Sequence, residues 1–157
     1  MAKRSPKLTP PPLSDEELRD YAIAKYIGNL LKAENESIVF RLQGSVVPKA
    51  RPRVTNSGHA YMPQNYREWK QQAIAAFRDI RYRCPAYTFP LAQANIFLVF
   101  DGKHDRGKDG DNSGGSCNDA LVQAGILQDD NFLHVPEQTM MLNYDAKRSP
   151  STLIVLY

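Results

Sequence analysis

The stretch Ala92–Phe100 (AQANIFLVF) is the most apolar in the chain, and a polar, Gly/Asp-rich loop (GKHDRGKDGDNSGG) follows it directly. A nine-residue stretch with seven apolar residues, broken off by such a loop, reads as a strand with at least one buried face. Beyond the loop, Cys117, Ala120, Leu121 and Ala124 recur at intervals of 3, 4 and 7, the period of a short buried helix, and Gly125 stops it. Strand, loop and returning helix commit the chain to a mixed α/β fold. No run of 18 apolar residues occurs, so no segment has the pattern of a membrane-spanning helix.

The other elements are read around this unit. Residues 1–13 are basic and proline-rich, the pattern of a mobile arm. Ser14 and Glu17 form a capping box, and Leu18, Ala22, Ile23, Tyr26, Ile27, Leu30 and Leu31 predict an amphipathic helix over roughly 15–33. Residues 14–36 are thus expected to be a helical extension preceding a domain over 37–157. In that domain Ser37–Leu42 predicts a strand, and RPRVT and HAYM flank an Asn56-Ser57-Gly58 turn, hence a hairpin. Asn65 is the expected cap of a helix to about Arg83, with Trp69, Ala73, Ala76, Phe77 and Ile80 as its buried stripe. Phe132–Asp145 and Thr152–Tyr157 predict two closing strands. The expectation is one compact domain, a mixed β-sheet flanked by helices.

Net charge is only +3, but its distribution is uneven. Residues 41–83 carry nine Lys/Arg against Glu68 and Asp79, and residues 101–130 carry seven Asp against Lys103, Arg106 and Lys108. Solvated faces of opposite sign would account for this. So would a polyanion-binding surface beside a cation site, since carboxylates next to a basic groove repel a polyanion unless a divalent metal bridges the two. Two cysteines make neither a disulfide framework nor a four-ligand zinc site, which points to a reducing, intracellular setting.

Asp109-Gly110-Asp111-Asn112 precedes the short helix and Asp129-Asp130 follows it. A helix over about 114–124 is ~16 Å long. Residues 125–130 can retrace ~20 Å if extended, which lets Asp130 reach the DGD loop. Mg²⁺ typically takes one or two carboxylates, waters and substrate phosphate oxygens. A metal so held activates water and polarises a phosphodiester. Gly110 would permit a sharp turn between two ligands. A calcium loop is disfavoured by Ala120 at the position that needs a bidentate Glu. A sugar-nucleotide DxD site lacks the chain length for its fold, and simple capping by these Asp residues stays open.

DGDN followed by DALVQAGILQDD (Asp119–Asp130), with VPKARPRVTNSGHAYMP upstream, resembles the RusA family of Holliday-junction resolvases, in its phage-type form. The resemblance covers roughly 38–157. It implies a RusA-like fold, an intertwined homodimer, and metal-dependent cleavage of four-way DNA by paired symmetric nicks in recombination and repair. The implied cofactor is Mg²⁺, with Mn²⁺ as its substitute. The implied setting is the cytoplasm, on nucleoid DNA, in a protein encoded by a bacterium or a phage. Carried across by position, Asp109, Asp111 and Asp130 would be catalytic and metal-binding, with Asp129 beside them and Asp119 supporting. One departure is that the family's helix lysine falls on Gly115 here. Lys103, Arg106, Lys108, Lys49, Arg51 or Arg53 would then supply the cation. Alternatively, the protein is a catalytically weakened binder of branched DNA.

Lys49, Arg51 and Arg53 alternate, which on an extended segment places them on one face as a row of phosphate contacts; Lys108 is a further DNA-binding candidate. His104 is expected to be a solvated loop residue. Cys117, Trp69 and Phe77 are expected in the core.

Overall fold

A computed structural model describes residues 37–157. The expected arm over 1–13 and the helix over 15–33 lie outside the described residues. The elements run β1 (Ile38–Gln43), β2 (Arg53–Val54), β3 (Ala60–Tyr61), α1 (Gln64–Arg83), β4 (Ile96–Gly102), α2 (Gly110–Gln123), β5 (Gln138–Tyr144) and β6 (Ser151–Leu156). β1, β6, β4 and β5 lie side by side in that order. β1 and β4 each pair antiparallel with β6, whereas β4 and β5 are parallel. Parallel neighbours need a long crossover, and α2 supplies it. The sheet is mixed, as the sequence led us to expect. Among the described residues no helix is long and apolar enough to cross a membrane.

β4 is central, and Ile96, Phe97, Leu98, Val99 and Phe100 are all buried, so both of its faces are covered. Ile96, Leu98 and Phe100 point to one face with Ile154, Leu156, Ile38 and Leu42, and both helices pack there. α1 contributes Trp69, Ala73, Phe77 and Ile80; α2 contributes Cys117, Ala120, Leu121 and Ala124. Phe77 is fully buried and meets Phe40 edge-on at 5.4 Å. Truncating such a residue to alanine typically costs about 3–5 kcal/mol.

Several expectations are corrected. α1 is capped by Pro63, whose carbonyl accepts from Arg67 N at 3.1 Å; Asn65 is already helical and its Oδ1 accepts from the adjacent Tyr66 N. Ala76 is exposed and Tyr66 takes its place in the stripe. β4 starts at Ile96 rather than Ala92; just before it, the Asn95 backbone pairs with Tyr157 and Ala94 N donates to His134 O. Residues 132–137 are no strand: Asn131 O accepts from His134 N and Val135 N, closing a turn with Phe132 87% exposed at its tip.

α2 begins at Gly110, four residues earlier than the periodicity implied. GDNSGGS has poor helix propensity, which tertiary contacts override. Asp109 caps the first turn, and Ser116 Oγ donates to Val47 O at 2.7 Å. At Gly114 a Cβ would collide with Met140 Sδ of β5, so a side chain there requires the Met140 side chain to shift. The helix ends where Gly125 takes φ +74°, with Ile126 N donating to Leu121 O at 3.0 Å.

Candidate functional site

β4 and α2 are joined by residues 103–109, so the end of one apolar strand and the start of one helix meet at a polar loop. The start of a helix carries unpaired N–H groups and a positive partial charge, which favours carboxylates there. Asp109 uses its side chain as the cap: Oδ1 accepts from Asp111 N at 2.9 Å, and Oδ2 faces Asn112 Nδ2 at 3.4 Å. Gly110 has no left-handed φ, so the expected sharp turn between the two Asp residues is the first turn of a helix instead. Asp111 is exposed, and its carboxylate accepts no hydrogen bond among the described residues.

Next to this turn is a pocket of about 80 Å³ lined by Ser45, Phe100, His104, Arg106, Lys108 and Gly110, among others. It is a small, half-open cleft with cationic side chains on its wall. Lys108 is exposed beside it, while the Arg106 guanidinium lies over the Tyr144 ring at 4.2 Å. His104 is not the free loop residue expected. Its Nε2–H donates to Ser151 O at 2.9 Å and its ring meets Phe100 edge-on, which leaves Nδ1 as the acceptor of the neutral form.

The basic segment after β1 docks on α2. Lys49 N donates to Asn112 O at 3.0 Å, and Lys49 Nζ lies 2.9 Å from Asp119 Oδ2. Tyr66 OH donates to the same oxygen at 3.3 Å. Burial, then the Asp119 charge and that hydrogen bond, pushes the Tyr66 hydroxyl up to about 12. Arg51 and Arg53 are exposed and have no ion pair among the described residues. The three alternating cations are therefore not an equivalent row: Lys49 is committed to α2, and Arg53 alone belongs to a strand.

Asp129 and Asp130 lie past the far end of α2. The fourteen residues of that helix separate them from Asp109, and Leu127 and Gln128 pair with Leu91 rather than running back along the helix. Asp129 Oδ1 accepts from Asp130 N at 2.7 Å and Oδ2 from Asn131 Nδ2 at 2.9 Å. Asp130 is exposed and its carboxylate accepts no hydrogen bond among the described residues. No three His, Cys, Asp or Glu side chains among the described residues are placed to hold one metal ion. Asp109 and Asp111 share the first turn of α2, linked by the Asp111 N–Asp109 Oδ1 bond, whereas Asp130 lies past the other end of the helix. A pair of carboxylates still meets the needs of Mg²⁺, which fills its remaining positions with water and phosphate oxygens.

Asp101 was not anticipated as a centre. Arg41 Nη1 donates to it at 3.0 Å, Arg148 Nη2 at 2.7 Å and Asn143 Nδ2 at 2.9 Å. Arg148 also binds Asp145, whose carboxyl is held below its usual range first by the Lys147 backbone N–H. The signal was present as charges within apolar strands, Arg41 in SIVFRL and Asp101 after NIFLVF, since such residues need partners. Cys117 behaves as expected: it is buried, and burial pushes its thiol up to about 12.

Compared with known protein families, residues 43–148 match the family described as Endodeoxyribonuclease RusA. The match runs from the last residue of β1 through both helices and β5, more than half of the chain. A search of curated proteins found no match.

Proposed function

Because the chain belongs to the RusA endodeoxyribonuclease family, we propose that it is a metal-dependent, structure-selective endodeoxyribonuclease that resolves four-way DNA junctions by paired nicks, acting as a homodimer on cytoplasmic DNA. The observation that carries this reading is the presence of Asp109 and Asp111 in the first turn of α2, beside a small cleft lined by Arg106 and Lys108.

Asp109 and Asp111 would hold the divalent cation, Mg²⁺ or Mn²⁺. When bound, it supplies Lewis-acid polarisation of the phosphodiester and an activated water. The chain's own residues do the rest. Asp109, fixed as a helix cap, orients the first turn and with it Asp111. Lys108 meets phosphate oxygens at the loop, and Arg51 and Arg53 grip the duplex arms through unpaired charge. Asp130, carried away from Asp111 by the length of α2, would enter from the second copy of the dimer with Asp129 beside it. Paired cutting then requires the dimer for assembly of each site as well as for symmetry.

The absence of a three-carboxylate cluster among the described residues also suits a second reading, a junction-binding protein of this fold without catalysis. One experiment separates them: nicking of a labelled four-way junction in Mg²⁺ or Mn²⁺, against linear duplex, with Asp111→Asn as control. Symmetric, metal-dependent cuts confined to the junction and lost in the variant support the nuclease. Tight junction binding without cuts in either metal supports the binder. Full activity of Asp111→Asn overturns the assigned site.

A further inference from the structure

Spacing of i, i+4 and i+8 puts Asp111, Gly115 and Asp119 on one face of α2. Lys49 lies along that face without belonging to the helix. Its N–H bonds Asn112 O, and Ser116 Oγ bonds Val47 O, so the segment is clamped to the first two turns. The side chain then passes over Gly115, with Cδ 3.9 Å from where a Cβ would stand, and ends on Asp119. α2 has no Lys or Arg of its own. The Lys49 side chain is 51% exposed and that of Asp119 20%, so the ammonium is open to an incoming anion while its latch is largely covered. A half-exposed ion pair contributes little to stability, so the fold has small need of it.

We propose that Lys49 is the cation that meets the phosphate at the Asp109–Asp111 carboxylates, stored on the α2 face by Asp119 and free to swing across Gly115. The inference rests on the nuclease reading above. Lys49 leaves Asp119 for the phosphate, exchanging one half-exposed ion pair for another. From Asp119 back to Asp111 is two turns, about 12 Å along the axis, and because the Lys49 backbone is anchored at Asn112, beside Asp111, its four-carbon stem can turn back over Gly115 where no side chain blocks it. A cation so placed acts where negative charge develops, and its weight falls on the rate rather than on affinity.

The test compares single-turnover nicking of a four-way junction in Mg²⁺ with junction binding in the absence of divalent metal. The variants are Lys49→Met, which keeps the stem over Gly115, Lys49→Arg, Gly115→Lys, and the double variant K49M/G115K. Lys49→Met should cut about 100-fold more slowly, the scale for losing one such donor, while affinity changes about threefold or less. Lys49→Arg should keep most of the rate. The double variant, with the ammonium returned to the same face from the helix side, should recover at least about tenfold over Lys49→Met. Three outcomes overturn the inference: Lys49→Met cutting at the parental rate, a rate loss matched by an equal affinity loss, or a double variant no faster than Lys49→Met. If the parent chain itself leaves the junction uncut, the nuclease reading fails and the inference falls with it. If the parent cuts and Lys49→Met cuts equally well, only the inference fails.

Discussion

Replacing Arg51 and Arg53 together by alanine should flatten the salt dependence of junction binding, and Lys49→Met should not do so to the same degree. Both arginines are exposed without an ion pair among the described residues, so each is available to a phosphate. Lys49 is already neutralised by Asp119 at 2.9 Å and must leave it to engage DNA. Each phosphate neutralised on B-DNA adds about 0.9 to the slope of log K against log salt, so the double arginine variant should lower it by about 1.8. Over one decade of salt, from a reference near 1 M to 0.1 M, that is about 60-fold in affinity, or about 2.4 kcal/mol. Lys49→Met should move the slope by less than about 0.5. Fluorescence anisotropy on a labelled junction without divalent metal, between about 50 and 200 mM salt, reads both quantities. An unchanged slope for the arginine pair would refute its assignment as phosphate contacts. A slope change for Lys49→Met equal to that of one arginine would show that the ion pair with Asp119 does not persist in solution.

Adjacent glycines in α2 should respond differently. Gly114→Ala must displace the Met140 side chain, which offsets the helix-propensity gain, so it should be at least about 1 kcal/mol less favourable than Gly115→Ala in urea unfolding. Gly115→Ala meets only ordinary contact with Lys49 and should stabilise by about 0.5–1 kcal/mol through helix propensity; equal effects would contradict the packing described. Tyr66 is 2% exposed, and its folded hydroxyl titrates near 12 against 10.0 ordinarily, so its contribution is whole below pH 10 and lost as pH rises toward 12. Relative to Tyr66→Phe, the parent should lose about 1 kcal/mol of unfolding free energy between pH 8 and 11, a figure discounted for the solvent that reaches Asp119. A gap that does not change with pH would remove the Tyr66–Asp119 coupling. Mixed dimers of Asp111→Asn and Asp130→Asn subunits should regain nicking in one strand, because one site then combines an intact Asp111 with an intact Asp130 from the other chain. Mixtures as inactive as either parent variant would place Asp130 outside a shared site.

Periodicity alone is enough to place α1, whose stripe Trp69, Ala73, Phe77 and Ile80 is buried as read, because a helix's buried face repeats within a few residues. The same locality makes β1, the β2–β3 hairpin, β4 and β6 legible to within a few positions, and the DGDN and DALVQAGILQDD motifs legible as a family signature. Tertiary structure decided what local pattern does not encode. The start of α2 at Gly110 depends on Gly114 packing against Met140 and Ser116 bonding Val47, contacts between segments far apart in sequence. That Asp101 needs a partner was readable, but which partners it has was not, since Arg41 and Arg148 arrive from β1 and from the turn before β6. Chain length between Asp111 and Asp130 allowed them to meet, but the direction taken after Gly125, toward Leu91, is set by the sheet and carries Asp130 away. The identity of the residues was written in the sequence. Their distances, and so which carboxylate faces which cation, follow from how the helices pack on the sheet, a long-range property that no local spacing contains.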